Sequence, residues 1–120
     1  MKKWKVTEEV IKEFKEQARK DDKIVTTLEE KIKTINPERI IAINDVYEYP
    51  EILNDYKMKK IREKVEIDKW KDEVPQTFCL LELPNGDLLV NGNGNHRAVL
   101  TNELGIKSAK AFVAEVKYVK

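Results

Sequence analysis

The chain of 120 residues contains a single cysteine, Cys79, and a single histidine, His96. One cysteine excludes an internal disulfide framework, and it also excludes a zinc site built from several cysteines. With one histidine available, a metal site in this chain would depend mostly on oxygen ligands. The composition therefore argues against disulfide-stabilised and zinc-dependent classes of protein.

Long apolar runs are also lacking. Hydrophobic residues make up 41% of the chain, which is enough for one core. No apolar run approaches the roughly 20 residues that a membrane-spanning helix needs. The lysine-rich start at residues 1–5 is followed by acidic residues, where a secretory signal would need an apolar segment. We therefore expect a cytoplasmic protein with one core and no membrane contact.

The sequence lacks a substantial net charge of either sign. Its 23 lysines and arginines are offset by 22 aspartates and glutamates, which leaves a formal charge of +1. A global basic field that would attract nucleic acid is therefore absent, although a local basic face is not excluded. The basic run at residues 57–60 is such a face, and we interpret it first as a solvated helix surface.

The N-terminal segment has the pattern of two consecutive helices. Residues 7–20 carry apolar side chains at helical spacing behind Thr7, which is expected to cap the helix. Thr27 and Glu30 fit a capping box, and the apolar positions after them predict a second helix that stops at Pro37. The two helices together predict a helical hairpin.

The remainder of the chain alternates between strand and helix patterns. The expected elements are a strand, a helix, two hairpin strands, a helix and a closing strand, at residues 39–43, 51–66, 75–83, 87–90, 97–104 and 109–119. Asn85 and Gly86 supply the hairpin turn, and Gly105 is placed to end the last helix. We therefore predict an α+β fold with a small mixed sheet, divided into the helical hairpin at 1–36 and a domain at 37–120.

The strongest chemical signal lies between a predicted strand and a predicted helix. It reads Asn91-Gly92-Asn93-Gly94-Asn95-His96-Arg97. Two glycines at such a junction let the backbone turn tightly, and the first helical amides then point outward, where they bind anions. Arg97 adds a planar fork for two parallel hydrogen bonds to a phosphate. A structural turn, with Asn95 as a helix cap and His96 held locally, explains the same spacing and stays open as an alternative.

This segment, with a strand before it and a helix behind it, resembles the phosphate loop of the ParB/sulfiredoxin superfamily. The resemblance covers roughly residues 38–118, and its motif is the Gly-x-His-Arg sequence at residues 94–97. In that superfamily the loop binds nucleotide phosphates: ATP in sulfiredoxins, CTP in ParB proteins, and ADP or ATP in free-serine kinases. The resemblance therefore implies a sulfiredoxin-like core that binds ATP or CTP through residues 91–97, with Mg²⁺ as an accompanying ion.

Differences from the superfamily narrow the implied chemistry. Asn95 stands where sulfiredoxins carry the catalytic cysteine, so reduction of a sulfinic acid is not expected. The kinase form uses a carboxylate near its first strand, and Asp45 and Glu48 follow the strand at 39–43 in the corresponding order. The resemblance thus implies hydrolysis or transfer of a phosphoryl group, with His96, Asp45 and Glu48 as candidate catalytic residues. For the two carboxylates, a role in a turn or a cap is the alternative.

A second function stays open at this stage. A domain that keeps the fold without the chemistry would serve as a DNA-associated or regulatory module. It would use the N-terminal hairpin or the face around residues 57–60, and its binding to DNA would weaken steeply with salt. The apolar stripes of the hairpin equally suit a protein partner or a second copy of the chain. Nucleotide binding through residues 91–97 is the function that we expect first.

Overall fold

The computed structural model describes residues 3–49, 51–68 and 75–119. Within these ranges the chain forms a seven-stranded mixed sheet and three α-helices. The strands are β1 Lys5–Val6, β2 Val25–Thr27, β3 Lys31–Ile35, β4 Ile40–Ile43, β5 Cys79–Glu82, β6 Leu88–Val90 and β7 Ala109–Tyr118. The helices are α1 Thr7–Lys20, α2 Tyr56–Asp68 and α3 Asn95–Glu103. The predicted α+β class with a small mixed sheet is confirmed.

The sheet combines parallel and antiparallel pairs. Its order is β1-β4-β6-β5-β7-β2, and β3 also pairs with β7. β1 and β6 both run parallel to β4, and β5 runs parallel to β7. The predicted hairpin of β5 and β6 is antiparallel, and Gly86 in its turn has a φ of 93°. The hairpin thus lies between β4 and β7 and joins the two halves of the sheet.

Helices pack on both faces of the sheet. On one face, Val10 and Phe14 of α1 contact a cluster that contains Leu89. On the other face, α2 and α3 cover a larger cluster that contains Leu88 and the fully buried Met58. Leu88 and Leu89 are consecutive residues of β6 and point to opposite faces, as the alternation of a strand requires. None of the described helices is both long enough and apolar enough to cross a bilayer.

The second N-terminal helix was predicted wrongly. Residues 25–27 and 31–35 form β2 and β3, and both strands pair antiparallel with β7. Leu28, Ile32 and Ile35 are spaced as on a helix, whereas the period of a strand puts Ile32 and Ile35 on opposite faces. Tertiary pairing decides between the two periods, because β7 offers backbone hydrogen bonds along the whole of β3. The capping box at Thr27 is not formed.

The helical hairpin expected at 1–36 is therefore absent. α1 covers the predicted residues 7–20, but the residue before the helix is Val6, and no side chain caps it. Thr7, the predicted cap, is buried as the first helical residue. β1 pairs with β4 and β3 pairs with β7, so strands on both sides of residue 36 belong to the same sheet. The hairpin surface considered for DNA or a protein partner does not exist in that form.

The other predicted elements are present with shifted bounds. The predicted helix at 51–66 begins with a short 3-10 turn, and α2 starts at Tyr56. Asp55 sets this start, because its Oδ1 accepts a hydrogen bond from the backbone N–H of Met58 at 2.8 Å. α3 begins at Asn95, two residues before the prediction. β4 to β7 all lie within the segments that the sequence assigned to strands.

A pair of isoleucines on β3 tests the strand assignment. Ile35 is 8% exposed and Ile32 is 52% exposed, whereas a helix would bury both on one stripe. We expect Ile35→Ala to lower the free energy of unfolding by about 2 to 5 kcal/mol, because it leaves a cavity in the core. Ile32→Ala should lower it by less than about 1 kcal/mol. Urea unfolding measures both, and equal losses would contradict the strand.

Candidate functional site

The loop between β6 and α3 has a backbone that favours glycine at two positions. Gly92 and Gly94 have φ values of 90° and 102°, in the left-handed region. A Cβ at Gly94 would lie 2.7 Å from Cδ1 of Phe78 and 3.1 Å from its Cα, and Phe78 is a buried core residue. Gly94 is therefore required by its φ and by its close approach to Phe78, whereas Gly92 is required by its φ alone.

Asn95 and Asn44 hold this loop against the end of β4. The Asn95 side chain accepts a hydrogen bond from the backbone N–H of Asn44 at 2.8 Å and donates one to the carbonyl of Gly92 at 3.3 Å. The Asn44 side chain accepts a hydrogen bond from the backbone N–H of Gly92 at 2.9 Å.

Asn95 is 2% exposed, and the residue that precedes the helix is Gly94. Asn95 is thus not a helix cap: its side chain clamps the loop.

Glu8, in the first turn of α1, extends the same network. Its carboxylate accepts hydrogen bonds from the Asn44 side chain and from the backbone N–H of Asp45, both at 2.9 Å. Desolvation raises the pKa of Glu8, but the hydrogen bonds that involve Asn44 and Asp45 outweigh it, so the pKa lies below its ordinary value. Sequence analysis missed Glu8 because acidic residues are common in any first helical turn.

His96 is paired with a carboxylate that the sequence analysis also missed. Its Nε2 lies 2.6 Å from Oδ2 of Asp55, and the residue is only 6% exposed. The ring of Tyr47 packs against the imidazole with centroids 4.8 Å apart and planes at 80°. Desolvation raises the pKa of Asp55, but hydrogen bonds from Met58 and His96 lower it by more. One carboxylate therefore caps α2 and orients the imidazole.

The His96–Asp55 pair has a defined chemical consequence. A carboxylate at hydrogen-bond distance from Nε2 fixes the orientation of the ring and determines which nitrogen faces Asp55. An imidazole held in this way can donate a hydrogen bond to an anion or pass a proton to it. The capping pattern at the start of α2 is a local signal for Asp55, but nothing local links it to a histidine 41 residues away.

A cleft of about 200 Å³ lies beside the loop, and we call it the loop cleft. Its described lining consists of Tyr47, Lys57, Ile61, Thr77 and the loop residues Gly92, Asn93, Gly94, Asn95, His96 and Arg97. The amides of residues 95–97 precede the first intrahelical hydrogen bond, from Ala98 N–H to the Gly94 carbonyl at 2.9 Å. The cleft is therefore at the positive end of α3, with Lys57 and Arg97 adding positive charge.

Asn91, the remaining predicted binding residue, is not among the residues that line the loop cleft. Its backbone N–H donates to the carbonyl of Cys79 at 2.9 Å, and this continues the pairing of β5 with β6. Cys79 is half-buried within β5, and desolvation raises the pKa of its thiol. Both residues contribute to the sheet at the base of the loop.

Asp45 and Glu48 lie apart from the loop cleft. Both line a second cavity, of about 720 Å³, on the other side of Tyr47, which lines both cavities. The backbone carbonyl of Glu48 accepts a hydrogen bond from the N–H of Ile52, in the 3-10 turn before α2, at 2.8 Å. The three candidate catalytic residues are thus not assembled in one cavity, and the carboxylate facing His96 is Asp55.

The described residues offer no ready site for a metal ion. No group of three or more histidine, cysteine, aspartate or glutamate side chains converges within the ranges 3–49, 51–68 and 75–119. Within those ranges, the Mg²⁺ implied by the superfamily resemblance therefore has no set of three protein ligands.

The clamp predicts a difference between two asparagines of the loop. Asn95→Ala removes two part-buried hydrogen bonds of a side chain that is itself buried, so it should lower the free energy of unfolding by about 1 to 3 kcal/mol. Asn93 is exposed, and Asn93→Ala should cost less than about 1 kcal/mol. Equal losses for the two variants in urea unfolding would show that the clamp does not hold the loop.

Glu8 predicts a pH dependence of stability. Because its pKa is lower in the folded state, Glu8 stabilises the fold above the pKa of the unfolded chain, and this contribution is lost as pH falls through the folded pKa. The stability gap between wild type and Glu8→Gln should therefore narrow as pH falls from about 7 to about 3. Glu9→Gln is the matched control, and a constant gap for Glu8→Gln would refute the prediction.

Searches against protein-family models, curated proteins and solved structures find no match for this chain. The resemblance to the ParB/sulfiredoxin superfamily therefore stays a hypothesis. It rests on the motif at residues 94–97 and on the strand, loop and helix in which the motif is set.

Proposed function

We propose that the loop cleft binds the phosphate groups of a nucleotide. The observation that carries the proposal is the left-handed turn at Gly92 and Gly94, which leads directly into the N-terminus of α3. Backbone amides and the helix dipole at such a terminus favour an anion. Lys57 and Arg97 line the same cleft and add two cations, one of which can bind a phosphate in bidentate fashion.

Hydrogen bonds from the loop, Lys57 and Arg97 to a phosphate would together be strong enough to bind a nucleotide at micromolar concentration. A hydrogen bond to a charged group contributes about 1.5 to 3 kcal/mol. A micromolar dissociation constant corresponds to roughly 8 kcal/mol, so a few such bonds from the loop, Lys57 and Arg97 provide it. The anchoring by Asn44 and Asn95 also matters, because a preformed loop loses little conformational entropy when the ligand binds.

The size of the cleft indicates which part of the nucleotide it takes. About 200 Å³ is below the range of roughly 300 to 1,000 Å³ that holds a whole small molecule. The phosphate end therefore fits the loop cleft, and the nucleoside extends beyond it. ATP and CTP, the ligands implied by the resemblance, present the same phosphates to the loop, so the base is identified by experiment.

The loop cleft is proposed to bind phosphate groups, and whether it also catalyses phosphoryl transfer is to be measured. A reaction would need a base for the attacking group, and Asp45 and Glu48 line the other cavity. Asp55 already accepts hydrogen bonds from Met58 and from the His96 ring. His96 lines the cleft, and the hydrogen bond between its Nε2 and Asp55 fixes the orientation of its ring.

Thermal unfolding with ATP, ADP, CTP, GTP and pyrophosphate tests the proposal. A ligand at a hundred times its dissociation constant adds about 2.7 kcal/mol, which raises the midpoint by several degrees. Arg97→Ala and Lys57→Ala should weaken binding by about tenfold or more, because each removes a charged contact worth at least about 1.4 kcal/mol. Lys59→Ala is the matched control, since Lys59 is exposed on α2 and is not among the cleft residues.

Calorimetric titration then separates the possible outcomes. A ligand that binds wild type and Lys59→Ala equally, and Arg97→Ala weakly, supports the loop cleft. Equal affinity in all variants, or no shift with any phosphate compound, refutes the proposal. Titration of a DNA duplex at two salt concentrations in the same series distinguishes a DNA-associated module, whose affinity falls steeply with salt.

A further inference from the structure

The cavity on the other side of Tyr47 is lined by none of the loop residues 91–97 among the described residues, and we call it the aromatic cavity. Its volume is about 720 Å³, within the range of roughly 300 to 1,000 Å³ that is typical of small-molecule sites. Three aromatic rings and three carboxylates line it: Trp4, Tyr47, Tyr49, Glu9, Asp45 and Glu48. This combination is different in kind from the glycines, lysine and arginine of the loop cleft.

Two of the rings that line the aromatic cavity contact each other at an angle. The centroids of Trp4 and Tyr49 are 6.5 Å apart, and their planes meet at 47°, so the two rings form a corner. A cation in such a corner can lie within about 6 Å of both centroids, the distance at which cation–π attraction acts. The Tyr49 hydroxyl donates a long hydrogen bond to Glu103 at 3.4 Å, and Tyr47 is held by His96. All three rings are half-buried, which limits competition from water.

The carboxylates supply negative charge without being used elsewhere. Among the described residues, the side chains of Glu9, Asp45 and Glu48 form no hydrogen bond or ion pair. Lys3 and Lys5 also line the cavity, so the described part of its lining carries a formal charge of −1. The three carboxylates do not converge as metal ligands in the part of the chain that the structure describes. A carboxylate set dispersed around aromatic rings suits a large cation of low charge density better than a metal ion.

We propose that the aromatic cavity binds an organic cation with an alkylated ammonium group, held in the corner of Trp4 and Tyr49 and facing Asp45 and Glu48. Such a group is weakly hydrated, so it leaves water readily and contacts the faces of the rings. The carboxylates add attraction that a neutral molecule of the same shape does not receive. This site includes no residue of the segment 91–97, so its test is independent of the test of phosphate binding.

Calorimetric titration with choline tests the proposal, and 3,3-dimethyl-1-butanol, which has the same shape without the charge, is the matched control ligand. We expect choline to bind at least about tenfold more tightly than the neutral alcohol. Tyr49→Leu removes a ring and Glu48→Gln removes a charge, and each should weaken choline binding by about threefold or more. Asp87→Asn removes a carboxylate outside the cavity, so this variant should bind choline as wild type does.

Several outcomes would overturn the proposal. Equal affinity for choline and for the neutral alcohol would show that the positive charge of choline does not contribute to binding. Unchanged choline affinity in Glu48→Gln would show that the cation does not bind near Glu48. Tight binding of adenosine or guanosine without choline binding would assign the rings to a nucleobase. Because Glu48 is exposed and its side chain has no partner among the described residues, Glu48→Gln keeps the test valid if Tyr49→Leu fails to fold. Arg97→Ala should bind choline normally, which separates this result from the phosphate titrations.

Discussion

The parallel pairing of β1, β4 and β6 is the constraint on which both cavities depend. Parallel strands have their carboxyl ends at the same edge of a sheet, and ligands in such sheets bind at that edge. The residues that follow these three strands are the start of α1, Asn44 and the glycine loop. The hydrogen bonds among Glu8, Asn44, Gly92 and Asn95 form because these chain segments meet there.

The pairing is stabilised by burial on both faces. All three residues of β6 are 2% exposed or less, so the strand that carries the loop is fixed by α1 on one side and by α2 and α3 on the other. β7 completes the arrangement, because it pairs with β5 on one side and with β3 and β2 on the other. The loop thus follows a strand that is buried on both faces, which supports the proposal of a preformed anion site.

Two neighbouring cavities of opposite character result from this arrangement. The loop cleft presents helix amides, Lys57 and Arg97, whereas the aromatic cavity presents rings and carboxylates. Tyr47 lines both cavities, and its ring packs against His96, which is paired with Asp55. The proposed ligands, a phosphate group and an organic cation, follow from this difference in charge.

The amino-acid sequence by itself determined the features that depend on neighbouring residues. Asn85-Gly86 identified the hairpin, and Gly92 and Gly94 identified a tight turn before a helix, because backbone conformation is set locally. The strand β3 was missed because Leu28, Ile32 and Ile35 fit a helix as well, and only the pairing with β7 excludes it. The pairing of His96 with Asp55 and the separation of Asp45 and Glu48 from the loop cleft were decided by the tertiary structure. These relations join segments more than 40 residues apart, and their geometry depends on which strands lie side by side.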